Sequence, residues 1–296
     1  MHATLPLPDV WPHPTIGVLT DIDDTLTHDG HIEPEALAAL HGLRAAGVPV
    51  VAITGRPVGW SAPFAQAWPV DAIVAENGSV RLQTKGTLLQ KHYLLDEATR
   101  AEQYAHLQRV LHLIEYNVPG ARRATDSEGR ETDIAIDHSE FTFLPDDRIE
   151  QVVELMRAEG LTATVSSIHI NGWLGDHNKW TGAQWAVQSL YGQDLQANAA
   201  QWVYVGDSTN DQVMFQRMPV TVGVANIRRF EHLLTHRPRY ITQTERGRGF
   251  AEVARAVLRG MQSHATQPAH ATGAMGPLST TVASAGTSAT GPTDTA

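Results

Sequence analysis

Cysteine is absent from the 296-residue sequence. This excludes disulfide bonds, a thiol nucleophile, and zinc or iron–sulfur centres held by cysteine, and it fits a reducing compartment. The chain also has no uninterrupted run of 18 apolar residues, so no membrane-spanning helix is predicted. With 42% apolar residues, a chain of this length can bury a sizeable core.

Basic residues are few: 22 Lys and Arg stand against 32 Asp and Glu, which gives a formal net charge of −10. This balance argues against nucleic acid or an anionic membrane surface as the main partner. Lysine is the scarcer basic residue, because Lys85, Lys91 and Lys179 are the three in the chain and all the others are Arg. Lys179, at the predicted start of a helix, is therefore a candidate functional residue.

Both ends of the chain lack features that would give them a defined role. Residues Met1–Pro14 contain four prolines and no Lys or Arg, unlike a secretory signal, so a cytoplasmic protein is predicted. Residues 263–296 are rich in Ala, Thr, Ser, Gly and Pro and have no aromatic residue. This segment is predicted to be a disordered tail, because it offers too little apolar surface to offset its ordering entropy.

Residues 1–80 and 172–262 alternate short apolar runs with helical patterns, which predicts a doubly wound parallel sheet of the α/β class. The predicted strands are Ile16–Thr20, Val48–Thr54, Ala72–Ala75, Trp202–Val205, Val220–Val224 and Tyr240–Thr242. The predicted helices are Pro34–Ala46, Pro63–Trp68, Trp180–Tyr191, Asp211–Met218, Phe230–Leu234 and Phe250–Met261.

Residues 81–171 have a different, βαββαβ-like pattern. Its predicted elements are the helices Ala98–Tyr116 and Asp147–Glu159 and the strands Asp133–Asp137 and Thr162–Ile170. The pattern predicts an α+β domain that is inserted into the core and covers one face of its sheet.

Three carboxylates follow the first predicted strand, at Asp21, Asp23 and Asp24. Such a cluster repels itself and needs a hard cation or protonation to be stable. Oxygen ligands without neighbouring His or Cys favour Mg²⁺ over zinc. The alternative interpretation is a solvated acidic turn.

A second acidic pair, Asp207 and Asp211, follows the strand Trp202–Val205, with Asn210 beside it. A metal site is the favoured interpretation, and a helix N-cap with a surface Asp is the alternative. The carboxyl ends of parallel strands share one edge of a sheet, so this pair is expected to lie near the first acidic cluster.

Two further positions suit an anion at the same edge. The run Thr54-Gly55-Arg56 ends a strand and offers a hydroxyl donor and a close backbone approach. Lys179 lies at the positive end of a helix, where its charge is favourable if an anion contacts both. A plain turn and an exposed lysine are the alternatives.

Together, these motifs resemble those of the haloacid dehalogenase (HAD) superfamily of phosphohydrolases. They are, in chain order, DIDDTLT at 21–27, VAITGRP at 51–57, Lys179 in HNKWTGA, and VGDSTNDQVMF at 205–215. The resemblance implies a Rossmann-like core, Mg²⁺ as cofactor and hydrolysis of a phosphate ester.

The resemblance also implies roles for individual residues. Asp21 would attack phosphorus, and Asp23 would act as general acid and then as general base. Thr54 and Lys179 would bind the transferred phosphoryl group. The implied metal ligands are the Asp21 and Asp207 carboxylates and the backbone carbonyl of Asp23. The remaining implied residues are Gly55, Arg56 and Asn210 at the substrate and Asp211 as a supporting neighbour.

The length of the insertion indicates the subclass. Between Thr54 and Lys179 lie 124 residues. One further βα unit takes about 30 of them, which leaves roughly 90 for a cap domain. A cap at this place resembles class II, subclass B, which includes sucrose-phosphate, mannosyl-phosphoglycerate and trehalose-phosphate phosphatases. His169 and Asn171 are predicted to contact the leaving group, with Arg122 and Arg123 as alternatives for a second anionic group.

The sequence therefore predicts a Mg²⁺-dependent phosphatase that acts on a small-molecule phosphate ester, a sugar phosphate by the resemblance. A phosphomutase on the same scaffold and a catalytically silent binding protein are the alternatives. A dinucleotide-binding enzyme is disfavoured, because DIDDTL stands where a G-x-G-x-x-G run would be needed. The oligomeric state is left open.

Overall fold

The computed structural model describes residues 4–12 and 14–266. Of the predicted tail 263–296, the first four residues belong to the last helix, and the part from residue 267 onward lies outside the described residues. None of the described helices is long and apolar enough to cross a lipid bilayer.

Strands and helices alternate along most of the chain. The strands are β1 (Leu5–Pro6), β2 (Gly17–Thr20), β3 (Thr27–His28), β4 (His31–Ile32), β5 (Val50–Ile53), β6 (Ala72–Ala75), β7 (Val80–Lys85), β8 (Leu88–Tyr93), β9 (Arg122–Arg123), β10 (Asp133–Asp137), β11 (Thr162–Val165), β12 (His169–Trp173), β13 (Trp202–Gly206), β14 (Thr221–Gly223) and β15 (Tyr240–Ile241). The helices are α1 (Pro34–Ala45), α2 (Val58–Ala67), α3 (Glu97–Asn117), α4 (Asp146–Ala158), α5 (Lys179–Tyr191), α6 (Leu195–Asn198), α7 (Gln212–Arg217) and α8 (Arg246–Thr266). Short 3₁₀ turns lie at Glu76–Gly78, Ser127–Gly129, Ala199–Gln201, Thr209–Asp211 and Ala225–Phe230.

The core sheet has the strand order β1-β15-β14-β13-β2-β5-β6-β7-β8. The first seven strands in this order, from β1 across the sheet to β6, are parallel. Strands β7 and β8 add an antiparallel hairpin at one edge. The chain runs outward from β2 through β5 to β6, and it later returns to place β13 against the other side of β2. The boundary between β2 and β13 is therefore the point where strand order reverses, and ligands bind there in open α/β sheets.

Helices cover both faces of this sheet. Helices α1, α2 and α8 pack with one set of strand side chains, which includes Val18, Val50 and Val203. Helices α5 and α7 pack on the opposite face, against a set that includes Leu19 and Tyr204. Strand residues point alternately to the two faces, so an apolar strand buries both of its sides between helices. The predicted doubly wound α/β core is confirmed.

A second sheet lies in the inserted part of the chain, with the strand order β11-β12-β10-β9 and antiparallel pairing throughout. Helices α3 and α4 pack on it through Leu107, Ile114, Val152 and Met156. The order of elements is αββαββ, which differs from the predicted βαββαβ-like pattern. We refer to this α+β unit, from α3 to β12, as the cap.

The predicted domain boundaries fall inside strands. Residue 81 lies in β7, which pairs with β6 of the core, so the β7–β8 hairpin extends the core sheet rather than the cap sheet. Residue 171 lies within β12, all of which pairs with cap strands. An apolar strand pattern shows that a strand forms but does not show which sheet it joins.

Three elements differ from their predicted form. The single predicted strand 162–170 is a hairpin, because Ser166 Oγ accepts from the His169 N–H at 3.0 Å and closes a turn. Helix α2 begins at Val58 and contains Pro63, which was predicted to start it. Of the predicted helix 230–234, Phe230 ends the 3₁₀ turn Ala225–Phe230, and residues 231–233 form a turn.

Candidate active site

Asp21 and Asp207 come directly after the two central strands of the core sheet. In the β2–β13 pair, Thr20 lies beside Val205, and the Asp21 N–H donates to the Val205 carbonyl at 2.8 Å. Both aspartates are buried. The parallel register therefore brings together two carboxylates that are far apart in the chain, as the strand-end argument predicted.

Lys179 is the first residue of α5, where local features of the sequence hold it in place. The Asn178 side chain accepts from the Thr181 N–H, and the Thr181 hydroxyl accepts from the Asn178 N–H, which completes a capping box. Gly182 of this helix packs on Gly78, whose φ is +118°. A Cβ on Gly182 would lie 2.5 Å from the Gly78 Cα, so only glycines allow α5 to approach this closely.

The Lys179 ammonium is buried and bridges the acidic residues of two strand ends. It donates to Asp21 Oδ1 at 2.6 Å, to Asp211 Oδ1 at 2.7 Å and to Asn210 Oδ1 at 3.3 Å. Burial by itself lowers the pKa of Lys179, but the Asp21 and Asp211 carboxylates outweigh it and raise the pKa above its usual range. Lys179 is therefore positively charged at neutral pH.

Asp211 holds Lys179 and the loop after β13. Its Oδ1 also accepts from the Tyr204 hydroxyl at 2.5 Å. Its Oδ2 accepts the backbone N–H groups of Asp207 at 2.8 Å and Ser208 at 3.0 Å. Both oxygens are thus engaged with protein donors, and Asp211 lies where the family resemblance implied a supporting neighbour of Lys179.

The Asp207 carboxylate, in contrast, has a free oxygen. Asn226 donates to its Oδ2 at 3.1 Å, whereas Oδ1 is buried and has no hydrogen-bond partner among the described residues. Carboxylate oxygens of Asp21, Asp207 and Asp211 lie within 4.8 Å of one another. A buried polar atom without a partner is costly, so Asp207 Oδ1 is suited to bind a cation.

The charges in this cluster do not balance. Three carboxylates and the Lys179 ammonium leave a net charge of −2 when all are ionised. Burial, together with Asp211 and Asp23, outweighs the opposing effect of Lys179 and raises the pKa of Asp21 to about 7. Burial, together with Asp21 and Asp211, raises the pKa of Asp207 well above its usual value. A divalent cation would neutralise the excess charge.

Asp23, Thr54 and Arg56 form a second group of polar side chains beside this cluster. The Thr54 hydroxyl donates to Asp23 Oδ2 at 3.4 Å and accepts the Arg56 N–H at 2.9 Å. Arg56 Nε donates to Asp23 Oδ1 at 2.9 Å. Both oxygens of the predicted general acid are therefore oriented by residues of the Thr-Gly-Arg run.

The cap closes over this group through the turn between β11 and β12. A small cavity lies between the cap and the core. It is lined by Asp21, Asp23, Gly55, Arg56, Ser166, Ser167, Ile168, His169, Asn171, Ser208 and Asn210. Asn171 donates to the Gly55 carbonyl at 3.2 Å, and a Cβ on Gly55 would lie 3.1 Å from Asn171 Oδ1. His169 and Asn171 thus lie beside the carboxylates, where leaving-group contacts were predicted.

Arg122 and Arg123 lie elsewhere. They form the edge strand β9 of the cap sheet, and neither lines the cavity. Arg123 pairs with Glu115 at 2.6 Å. The alternation of the cap sequence gave no information on which sheet edge would face the core.

Several residues of the site were missed by the sequence analysis. Asn226 follows β14 and is the one with a usable signal, because it also lies at the carboxyl end of a core strand. Tyr204 is hidden within an apolar strand. Asp126 and Glu140 of the cap, which contact Arg56, look like ordinary surface acids in the sequence.

The family model for haloacid dehalogenase-like hydrolases matches residues 18–170. This is more than half of the chain, which therefore belongs to that family. The family and the enzyme class predicted from the sequence are confirmed: the protein is a phosphatase of the haloacid dehalogenase type.

Individual relatives agree with this assignment. The chain is 28% identical to the phosphoglycolate phosphatase of Methanothermobacter thermautotrophicus over 249 residues, which cover 82% of this chain and 98% of that protein. It is similar in structure to a Thermoplasma acidophilum protein, with a TM-score of 0.64, 15% identity, and coverage of 83% and 100% of the two chains. It is also similar to the sucrose-phosphatase of Synechocystis, with a TM-score of 0.55, 20% identity, and coverage of 81% and 97%. At such identities, the two structural similarities show the fold.

Proposed function

We propose that this phosphatase is Mg²⁺-dependent and hydrolyses the phosphate monoester of a small hydroxylated molecule, such as a sugar phosphate, through an aspartyl-phosphate on Asp21. One observation carries the proposal. Asp21, Asp207 and Lys179 form a buried cluster, in which Asp207 Oδ1 has no hydrogen-bond partner within the part of the chain that the structure describes. At one edge of the sheet, the cluster thus combines a nucleophile (Asp21), an oxygen suited to bind a cation (Asp207) and a fixed positive charge (Lys179).

The donor set suits Mg²⁺. The available ligands are carboxylate and carbonyl oxygens, without Cys or His in the cluster, and Mg²⁺ prefers such hard ligands. Asp21 and Asp207 would hold the ion with the backbone carbonyl of Asp23. When bound, the ion would supply positive charge that offsets the excess of the carboxylates and that of the phosphate.

The chain's own residues then divide the reaction into two steps. In the first, an Asp21 carboxylate oxygen forms a bond to phosphorus while the ester bond breaks, and Asp23 gives a proton to the leaving oxygen. In the second, Asp23 accepts a proton from the attacking water, the Asp21–phosphorus bond breaks, and inorganic phosphate leaves. Lys179 neutralises charge on the phosphoryl oxygens, since phosphoryl transfer depends mainly on positioning and electrostatic stabilisation.

The leaving-group side of the cavity is polar. The cap turn contributes the hydroxyl groups of Ser166 and Ser167, and strand β12 contributes the imidazole of His169 and the amide of Asn171. These groups are suited to hydrogen-bond the hydroxyl groups of a sugar. The names of the relatives include both a sugar-phosphate substrate, for sucrose-phosphatase, and a small carboxylic acid, for phosphoglycolate phosphatase.

The test is phosphate release from a panel of monoesters, with Mg²⁺ and with a chelator, by the wild type and by Asp21→Asn. We expect Mg²⁺-dependent release by the wild type and none by the variant, which keeps the shape of the side chain but not its nucleophilic charge. The matched control is Asp147→Asn, the same change at an exposed carboxylate of the cap. Undiminished turnover by Asp21→Asn would refute the proposal.

The products of the same assay separate hydrolysis from group migration. With a hexose 1-phosphate as substrate, we expect free phosphate in the ³¹P spectrum. Formation of hexose 6-phosphate would instead indicate a phosphomutase.

A further inference from the structure

Arg56 connects the catalytic carboxylate Asp23 with the cap. Its Nε donates to Asp23, as described above, while Nη1 and Nη2 donate to Glu140 at 3.2 and 2.5 Å. Nη1 also donates to Asp126 at 3.1 Å. The guanidinium also lies 4.9 Å from the centre of the Trp60 ring. Three carboxylates, two of them from the cap, therefore surround one buried arginine.

The Arg56–Glu140 pair has the two-point geometry with which arginine binds carboxylates in general. Glu140 is further held by His169, whose Nε2 lies 2.9 Å from Oε2. Burial by itself raises the pKa of Glu140, but the contacts with His169 and Arg56 outweigh it and lower the pKa to about 2. Glu140 is therefore ionised at neutral pH and fills the carboxylate-binding side of Arg56.

This arrangement matters because Arg56 lies on the leaving-group side. Asp23 is the proposed proton donor to the leaving oxygen, and Arg56 contacts Asp23 and lines the same cavity. Among the described residues that line the cavity, Arg56 is the one with a permanent positive charge. An unpaired arginine here would be a ready partner for a carboxylate on the leaving group.

We propose that Glu140 and Asp126 are specificity-determining residues, which pair with Arg56 and so exclude leaving groups that carry a carboxylate. This inference rests on the proposed phosphatase function and narrows its substrate class to esters with uncharged, hydroxylated leaving groups. A carboxylate would have to displace Glu140 from Arg56, and it would then lie next to two like charges. A hydroxyl group meets no such repulsion and finds donors and acceptors on the cap turn.

The test uses two substrates of nearly equal size, 2-phosphoglycolate and 2-hydroxyethyl phosphate, which differ in bearing a carboxylate or a hydroxymethyl group. The wild type should have the higher kcat/KM for 2-hydroxyethyl phosphate. In Glu140→Gln, the ratio of kcat/KM for 2-phosphoglycolate to that for 2-hydroxyethyl phosphate should rise at least tenfold, mainly through a lower KM for the acid. Glu140→Asp keeps the charge and should keep a ratio close to that of the wild type.

Glu154→Gln is the matched control, because Glu154 is an exposed residue of the cap helix α4, and its ratio should not change. Asp126→Asn is the second specificity variant and should raise the ratio in the same direction, so the test remains decisive if Glu140→Gln does not fold. If both substrates lose kcat/KM equally in these variants, Glu140 and Asp126 only support the structure, and the proposal is overturned.

A binding measurement separates this proposal from the proposed function. In an Asp21→Asn background, calorimetry compares the dissociation constants of the same two esters with and without Glu140→Gln. A tenfold shift of their ratio toward the acid supports the role of Glu140 even if the wild type hydrolyses neither ester. An unchanged ratio overturns that role, whatever the turnover of other esters shows about the phosphatase.

Discussion

Removal of Mg²⁺ should destabilise the protein in a pH-dependent way, because the buried acidic cluster must otherwise hold protons or uncompensated charge. The pKa of Asp21 rises from 3.8 to about 7 in the folded state. A carboxyl group with a raised pKa binds its proton more tightly when folded. Its contribution to stability is therefore present below pH 3.8 and is lost as the pH rises through 7.

The size of this loss of stability follows from the difference between the folded and unfolded pKa values of Asp21. Between the unfolded and folded pKa values, stability falls by about 1.4 kcal/mol per pH unit for each such group. For Asp21 this amounts to a loss on the order of 4 kcal/mol by neutral pH in the metal-free protein. Because Mg²⁺ binds the ionised carboxylates and displaces protons, its stabilising effect should be small at acidic pH and grow toward pH 7.

The assay is urea unfolding followed by tryptophan fluorescence, at about pH 5.5 and about pH 7.5, each with MgCl₂ or with EDTA. The difference between the MgCl₂ and EDTA curves should be larger at the higher pH, and Asp207→Asn should abolish it. Burial also raises the pKa of Asp133 to about 7, but this residue lies outside the cluster and affects both curves equally. A Mg²⁺ effect of equal size at both pH values would refute the reasoning.

Three substitutions test the parts of the site separately. Lys179→Met should lower kcat by about 10²- to 10³-fold in a phosphate-release assay, because it removes the fixed charge beside the phosphoryl group; a smaller loss than tenfold would contradict this role. Asn226→Ala should weaken Mg²⁺ binding by about 10- to 100-fold in calorimetric titration, since Asn226 orients Asp207; unchanged affinity would mean that this contact is dispensable. Gly206→Ala should lower the free energy of unfolding by about 1–3 kcal/mol in urea, because the new Cβ would lie 2.5 Å from the Asp211 carboxyl group; wild-type stability would show that the loop relaxes freely.

The placement of the half of the site that lies at the strand ends could be predicted from the sequence, for a physical reason. Asp21, Thr54 and Asp207 each follow a buried strand, and parallel strands bring their carboxyl ends to one edge regardless of distance along the chain. Local patterns thus determine which residues meet there. The same rule applied to β14 would also have identified Asn226.

The cap half could not be predicted in the same way. Glu140 meets Arg56 across 84 residues, and this contact depends on how the cap lies against the core, which no local pattern encodes. The β11–β12 hairpin was missed because its turn, Ser166-Ser167-Ile168, contains neither Gly nor Pro, and its two serines are the weaker turn signal. Its closure depends instead on the hydroxyl of Ser166, which accepts backbone N–H groups within the turn.

The late return of the chain to the centre of its sheet has a consequence for how the protein is made. Asp21 and its ammonium partner Lys179 are 158 residues apart, and the whole cap is synthesised between them. Asp21 therefore leaves the ribosome long before Lys179 has been synthesised. Strands β2 and β13 cannot pair until the part of the chain after the cap has emerged. Fragments that stop before Lys179 should consequently lack a stable core sheet, because three of its strands, β13, β14 and β15, come after that residue.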